Sequence, residues 1–170
     1  MDIEITVVGN PLQFAKTKAI WDTGATNTVI TKEVVSRLGL VSSGFTQVNT
    51  ASENNKTTNT YLVDLKLKSD VTISTVQVTE GVILSEKGID CLLGMDIISI
   101  GDFSITNFEG RTMMSFRIPS SHKLDFVEKL NSETAIINRH FHSGKNLNHM
   151  CSCGSGKKFK NCHGNNIEEV

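Results

Sequence analysis

Apolar and polar residues alternate with a period of two along much of the first 119 residues, and the alternating stretches are short and broken by turns. The clearest cases are Leu62, Asp64, Leu65, Lys66, Leu67 and Lys68, then Val71-Thr72-Ile73 and Val76-Gln77-Val78. Successive side chains of a strand point to opposite faces, so this pattern predicts half-buried strands. Strands are expected over Ile3 to Val8, Gln13 to Trp21, Thr28 to Ile30, Thr60 to Lys68, Val71 to Leu84, Ile89 to Leu93 and Thr112 to Ile118. Gly9-Asn10-Pro11 reads as the first hairpin turn. Two short helices interrupt the strands: Lys32 to Leu38, with Thr31 as N-cap and Gly39 just past the end, and a second beginning near Met95. The first 119 residues are therefore expected to form an all-β domain.

Pro119-Ser120-Ser121 marks a change of period. Beyond it Leu124, Val127, Leu130, Thr134, Ile137 and Phe141 recur at near-helical spacing, which predicts one or two helices linking the β domain to the tail. The division expected is a β domain over 1–119, a helical linker over 120–150, a cysteine-rich segment over 151–164 and a tail over 165–170.

The composition is that of a globular protein, with 38% hydrophobic and 21% charged residues. No apolar run approaches the roughly 20 residues that span a bilayer, so no membrane anchor is expected. Met1-Asp2-Ile3-Glu4-Ile5-Thr6-Val7 lacks the basic and apolar regions of a secretory signal and reads as a first strand, which points to a cytoplasmic location. The net charge of −1 hides an asymmetry: Arg139, Lys145, Lys157, Lys158 and Lys160 meet no acidic residue between positions 139 and 163.

Two stretches carry chemistry. Asp22-Thr23-Gly24-Ala25 sits between the apolar runs Ala19-Ile20-Trp21 and Thr28-Val29-Ile30, which puts one carboxylate on a tight glycine turn at the end of a buried strand. Neither Asp-Thr-Gly nor Asp-Ser-Gly occurs a second time. The other stretch is Cys151-Ser152-Cys153-Gly154-Ser155-Gly156-Lys157-Lys158-Phe159-Lys160-Asn161-Cys162-His163-Gly164. Three thiolates and one imidazole, from Cys151, Cys153, Cys162 and His163, complete a tetrahedral Zn²⁺ site with no open position, as a structural site requires. In a reducing compartment such a cluster holds a metal more often than a disulfide. Cys91, isolated among apolar residues, reads as a buried small hydrophobe. His140, His142 and His149 read as solvated or linker residues, because four ligands are already assigned.

The Asp22 loop resembles the catalytic loop of the retropepsin-like aspartic proteases. Cys91-Leu92-Leu93-Gly94-Met95-Asp96-Ile97-Ile98 is similar to the apolar-apolar-Gly-x-Asp segment of the same family, in which a strand threads past the catalytic loop and enters a short helix. Asp-x-Gly turns are common in β proteins, so the weight rests on several elements in the right order. The resemblance implies a closed β-barrel of the acid-protease half fold. It also implies a homodimer, because each active site takes one carboxylate from each chain. Two carboxylates about 3 Å apart cannot both ionise, so the Asp22 pair would offer a base and an acid at once to activate a water against a peptide bond.

By the same resemblance, Thr23 hydrogen-bonds across the dimer axis and Gly24 turns its N–H toward the carboxylate. Ala25, Thr26 and Asn27 fall where the family meets substrate. The polar stretch from Asn49 to Asn59, with Ala51, Ser52 and Glu53 near its middle, holds the position of the flap that closes over peptide. It contains no glycine, unlike family flaps, and Asn54-Asn55 would have to supply the left-handed turn. Asp96 is expected at the start of a helix, satisfying free N–H groups.

The cysteine segment closely resembles the SEC-C motif, and its basic surroundings look like an adaptor for an acidic protein surface or for RNA on a ribosome. The reading that combines these features is a homodimeric aspartic endopeptidase with a structural zinc knuckle. Two other readings use the same features: a non-catalytic dimer that holds peptides in the groove, and a nucleic-acid or ribosome adaptor whose functional end is the knuckle.

Overall fold

The computed structural model describes residues 1–49, 55–68, 71–83 and 88–165, in two compact units, Met1–Ser121 and the segment from His122 onward. In the first unit, β1 (Asp2–Val7) and β2 (Asn10–Trp21) form a hairpin, followed by β3 (Val29–Ile30) and α1 (Lys32–Leu38). Then come β4 (Gly44–Val48), β5 (Lys56–Lys66), β6 (Thr72–Glu80), β7 (Ile89–Leu93), α2 (Met95–Ile98) and the hairpin β8 (Asp102–Phe108) and β9 (Arg111–Arg117).

The sheet order is β1-β2-β7-β3-β6-β5-β4, and β1 also pairs with β5, from Glu4↔Lys66 to Val7↔Val63. That extra pairing closes six strands into a barrel and leaves β4 outside, paired to the lower half of β5. Closure removes unpaired strand edges. The barrel is filled by the inward positions of each strand, among them Ile3 and Ile5, Ala15 and Ala19, Val63 and Leu65, and Cys91 and Leu93. Ala15, Thr17 and Ala19 of β2 point in, while Lys16 and Lys18 between them point out, the alternation that a one-sided strand demands. Truncating a fully buried member such as Leu65 or Leu93 to alanine would cost about 2–5 kcal/mol.

Helix α1 is bounded as its sequence predicts. The Thr31 hydroxyl accepts from Val34 N at 3.4 Å, and Gly39, at φ 55°, closes the helix with its N–H on Ser36 and Val35 carbonyls.

Several expected boundaries move. The first turn is Val8-Gly9, with Gly9 at φ 77°, so Asn10 and Pro11 already belong to β2. Strand β5 begins at Lys56 rather than Thr60, because Lys56 to Asn59 pair with β4 although they carry no apolar alternation. β4 and β8 were not expected. β8 pairs with β9 from Asp102↔Arg117 to Phe108↔Arg111, with only its base half-buried.

In the second unit, α3 (Phe126–His142) is one helix, capped by the Asp125 carboxylate on Glu128 N at 2.9 Å. A 3-10 turn spans Phe159–Asn161. Among the described residues no helix is long and apolar enough to cross a membrane.

Candidate active site and metal centre

Strands β2 and β7 run parallel through Ala19↔Cys91, Ile20↔Leu92 and Trp21↔Leu93, and Asp22 N donates to Leu93 O at 2.9 Å. The carboxylate of Asp22 thus leaves the barrel at the end of a strand that β7 holds. Gly24 N donates to Asp22 Oδ1 at 2.9 Å, and Ala25 N to Asp22 O at 3.2 Å, which closes the turn. A Cβ on Gly24 would stand 3.2 Å from Asp22 Oδ1, so a side chain there crowds the carboxylate. Asp22 and Ala25 are half-buried, while Thr23, Gly24, Thr26 and Asn27 are exposed.

The loop is held from behind by the segment after β7. Met95 N donates to Ala25 O at 2.8 Å and Asp96 N to Thr26 O at 3.1 Å. Gly94 makes this crossing possible, since a Cβ there would lie 2.6 Å from the Asn27 carbonyl carbon and oxygen and 3.0 Å from Ala25 O.

Asp96 does more than serve a helix start. Its Oδ2 accepts from Thr28 N at 2.9 Å, and its Oδ1 accepts from the Thr28 hydroxyl at 2.8 Å and from Ile97 N at 3.0 Å. The Thr28 oxygen in turn accepts from Gly94 N at 3.2 Å. Thr28 is fully buried, so each of these groups would lose its solvation without the others. Sequence reasoning placed Thr28 in a strand and gave it no role. A buried threonine looks like any core β residue until its partner, 68 positions away, is known.

Trp21, one residue before Asp22, packs its ring at 4.7 Å from Phe116 and 5.4 Å from Phe103, at the base of the β8–β9 hairpin. Trp21 is half-buried and packs against the core. Burial pushes the Cys91 thiol up to about 12, and the charges of Asp96 and Asp90 add to the rise. That makes Cys91 the inert, apolar group that its context predicts.

At the flap position, β4 and β5 pair from Gly44↔Thr60 to Val48↔Lys56. Asn55 takes φ 55° and donates its N–H to Asn49 Oδ1 at 2.9 Å, so an asparagine supplies the left-handed backbone where a glycine was missed. Ala51, Ser52 and Glu53, expected to meet substrate, lie outside the described residues, as does Asn54.

In the second unit the ligand atoms of Cys151, Cys153, Cys162 and His163 all lie within 4.8 Å of one another. Cys153 Sγ is 3.6 Å from Cys162 Sγ, and His163 Nδ1 is 3.4 Å from Cys151 Sγ and 3.2 Å from Cys162 Sγ. A tetrahedral ion with bonds of about 2.3 Å to sulfur and 2.0–2.1 Å to nitrogen separates its ligands by roughly 3.5–3.8 Å. The four groups therefore fit a metal with little movement. Hydrogen bonds from the Ser155 hydroxyl and N–H hold the Cys153 thiol down to about 6, whereas burial raises Cys151. Gly154 and Gly156, at φ 80° and 70°, make the turn between the ligand pairs.

His140, expected to be a solvated or linker residue, lies in α3 but is not solvated. It is fully buried, stacked on Phe159 with ring centroids 3.8 Å apart, with Nε2 at 2.8 Å from Asn146 O and Nδ1 at 3.3 Å from the Ser152 hydroxyl. Phe141 meets the same Phe159 edge-on at 5.4 Å. The metal cluster thus has a small core that α3 supplies, and Gly164 closes over it, where a Cβ would lie 2.5 Å from the Phe159 ring. His142 and His149 stay at the surface, hydrogen-bonded to Asn138 O and Asn146 N.

Residues 7–100 match the family described as "gag-polyprotein putative aspartyl protease", and residues 148–165 match the SEC-C motif. The first match covers more than half of the chain, which belongs to that family of retropepsin-like aspartic proteases. No curated protein matches the chain by sequence. Among solved structures, a retropepsin-like aspartic protease from Rickettsia conorii is similar at 20% identity and a TM-score of 0.43, over 62% of this chain and 75% of that one. The retroviral protease-like domain of Ddi1 from Leishmania major is 14% identical with a TM-score of 0.38, over 69% of this chain and 93% of that one. The foamy viral protease-reverse transcriptase, in complex with an RNA/DNA hybrid, is 15% identical with a TM-score of 0.42, over 81% of this chain and 15% of that one.

Proposed function

We propose that the chain is a homodimeric aspartic endopeptidase in which Asp22 of two copies forms the catalytic dyad. One observation carries the reading: a single Asp-Thr-Gly carboxylate stands at the mouth of the barrel, oriented by Gly24 N–H and clasped from behind through Thr28 and Asp96. Half of a shared-proton pair is present, and a second copy supplies the other half.

With the two carboxylates about 3 Å apart, the ionised one draws a proton from a bound water. The protonated one donates to the scissile carbonyl oxygen, and the water oxygen attacks the carbonyl carbon. The resulting gem-diol collapses as the nitrogen of the leaving amine takes up a proton, so no covalent enzyme intermediate forms. The protons belong to the pair and not to either residue. Thr23 links the two loops, Ala25, Thr26 and Asn27 line the approach, and Ala51, Ser52 and Glu53 cover the peptide from the flap. The barrel through residue 119 is the catalytic domain, 120–150 the linker, and 151–164 the knuckle.

Cys151, Cys153, Cys162 and His163 would hold a structural Zn²⁺, which cross-links the tail when bound. The acid-free run from Arg139 to His163 supports an adaptor role toward an acidic protein surface, with RNA as the competing target. Free thiols in this pattern suit a reducing cytoplasm.

Asp22→Asn tests the catalytic reading. It is expected to leave the dimer intact and to lower peptide cleavage about 10⁴-fold. Cleavage by the variant at the wild-type rate would overturn the assignment, and peptide binding without turnover by the wild type would favour a non-catalytic groove.

A further inference from the structure

The one fully buried side chain of α3 is a polar one, His140. A buried imidazole has two nitrogens to satisfy, and groups on opposite sides of the ring meet both. Nε2 lies 2.8 Å from Asn146 O, and Nδ1 lies 3.3 Å from the Ser152 hydroxyl. A carbonyl oxygen can only accept, so in the neutral ring Nε2 carries the hydrogen and Nδ1 offers its lone pair. The Ser152 hydroxyl therefore donates to His140.

The ring is held flat as well as bonded at both ends. Phe159 lies against its face, with the planes only 8° apart, and Phe141 stands edge-on to it at 5.6 Å. Phe159 is itself fixed by the backbone of the cysteine segment. Its N–H donates to His149 O at 2.8 Å, and its carbonyl accepts from Cys162 N at 2.9 Å and Gly164 N at 2.8 Å. His140 is thus a rigid post, and what it holds is the residue between two candidate ligands, Cys151 and Cys153. The backbone of that middle residue sets how far apart the two sulfur atoms lie. Two serines of the segment divide the work: the Ser155 hydroxyl lies 3.4 Å from Cys162 Sγ, while the Ser152 hydroxyl turns to the helix.

We infer that His140 is a positioning residue of the metal centre, which through the Ser152 hydroxyl sets Cys151 and Cys153 in their ligating arrangement before an ion arrives. The inference rests on the reading of Cys151, Cys153, Cys162 and His163 as a metal site and extends it, because His140 lies outside residues 148–165, which match the SEC-C motif. The last turn of α3 then belongs to the metal-binding unit rather than to a linker. A site whose ligands are already placed loses less of its binding free energy to ordering the chain. Groups that orient metal ligands in this way typically change metal affinity about 10–100-fold.

The test uses the full-length chain, with Zn²⁺ affinity measured in competition with a chelating dye and ligand geometry read from the visible absorption of the Co²⁺-loaded chain. Ser152→Ala removes the donor and leaves the ring stack in place, and it is expected to lower Zn²⁺ affinity about 10–100-fold. Ser152→Thr keeps the hydroxyl and is expected to keep the affinity, a rescue that loss of packing alone would not give. His140→Phe retains a flat ring on Phe159 without the two hydrogen bonds and should weaken binding in the same way. The double variant, Ser152→Ala with His140→Phe, is expected to bind no more weakly than His140→Phe alone, because both changes break one relay. The Co²⁺ spectrum should keep its tetrahedral form throughout, since the residues orient ligands and do not bind the ion. Wild-type affinity in Ser152→Ala, or losses that multiply in the double variant, would overturn the relay and leave the metal reading standing. A changed Co²⁺ coordination in His140→Phe would overturn the positioning role by making His140 a ligand. A wild-type chain that binds neither Zn²⁺ nor Co²⁺ would overturn the metal reading as well.

Discussion

The two chemical centres of this chain are built on opposite plans. The metal centre takes all four candidate ligands from 13 consecutive residues, while the Asp22 loop takes its support from residues 66 to 71 positions away. Local spacing can define a metal site because its geometry lies within one turn of chain. A shared-proton carboxylate pair needs two backbones brought together, and each must be held by its own barrel. On the reading proposed above, one site is completed by a small ligand and the other by assembly.

The comparison breaks most sharply under chelation. Removing the metal is expected to withdraw on the order of 10 kcal/mol of folding free energy from the knuckle. The barrel should be untouched, so circular dichroism would keep its β signal while the cysteines become reactive. A barrel that melts together with the knuckle would show that the two plans are coupled.

The clasp is the next largest effect. Asp96→Ala leaves Thr28 N–H and hydroxyl buried without acceptors and should cost about 2–3 kcal/mol. Gly94→Ala drives a methyl into the Asn27 backbone, where overpacking costs about 1–3 kcal/mol. Both are expected to lower cleavage by more than the lost stability explains at temperatures where the barrel stays folded, and a thermal melt beside a peptidase assay measures the two. Equal losses would mean that the clasp stabilises the fold without orienting Asp22.

His140→Ala probes the helix-supplied core of the knuckle. The stacked contact with Phe159 is worth about 0.5–1.5 kcal/mol beyond its buried area, so metal affinity should fall about tenfold in competition with a chelating dye. The smallest effect is the sharpest contrast within one residue type. In metal-free chain at pH 7, Cys153, held down to about 6, is mostly thiolate and should alkylate fast, whereas Cys91, at about 12 and buried, should not react until the barrel unfolds.

What sequence makes legible follows the same division. The strands that fill the barrel announce themselves because one face of each is apolar. β4 and β8 escape notice because Gly44-Phe45-Thr46-Gln47-Val48 and Asp102-Phe103-Ser104-Ile105 place few side chains in a core. Asp22 and the cysteine cluster are visible as motifs. Thr28 is not, because its role exists only through Asp96. His140 is hidden for a related reason: its stacking depends on where α3 ends relative to Phe159, and no local pattern records that register.

Gly94 and Asp96 also set a clock. Asp22 leaves the ribosome 74 residues ahead of Asp96, which at 5–20 residues per second is about 4–15 s of synthesis. Throughout that interval the nascent loop has neither the β7 strand that receives Asp22 N nor the carboxylate that receives Thr28. A chain still being made has its Asp22 loop without this support, and the peptidase activity proposed above would arise only once the strand that crosses behind the loop has been delivered.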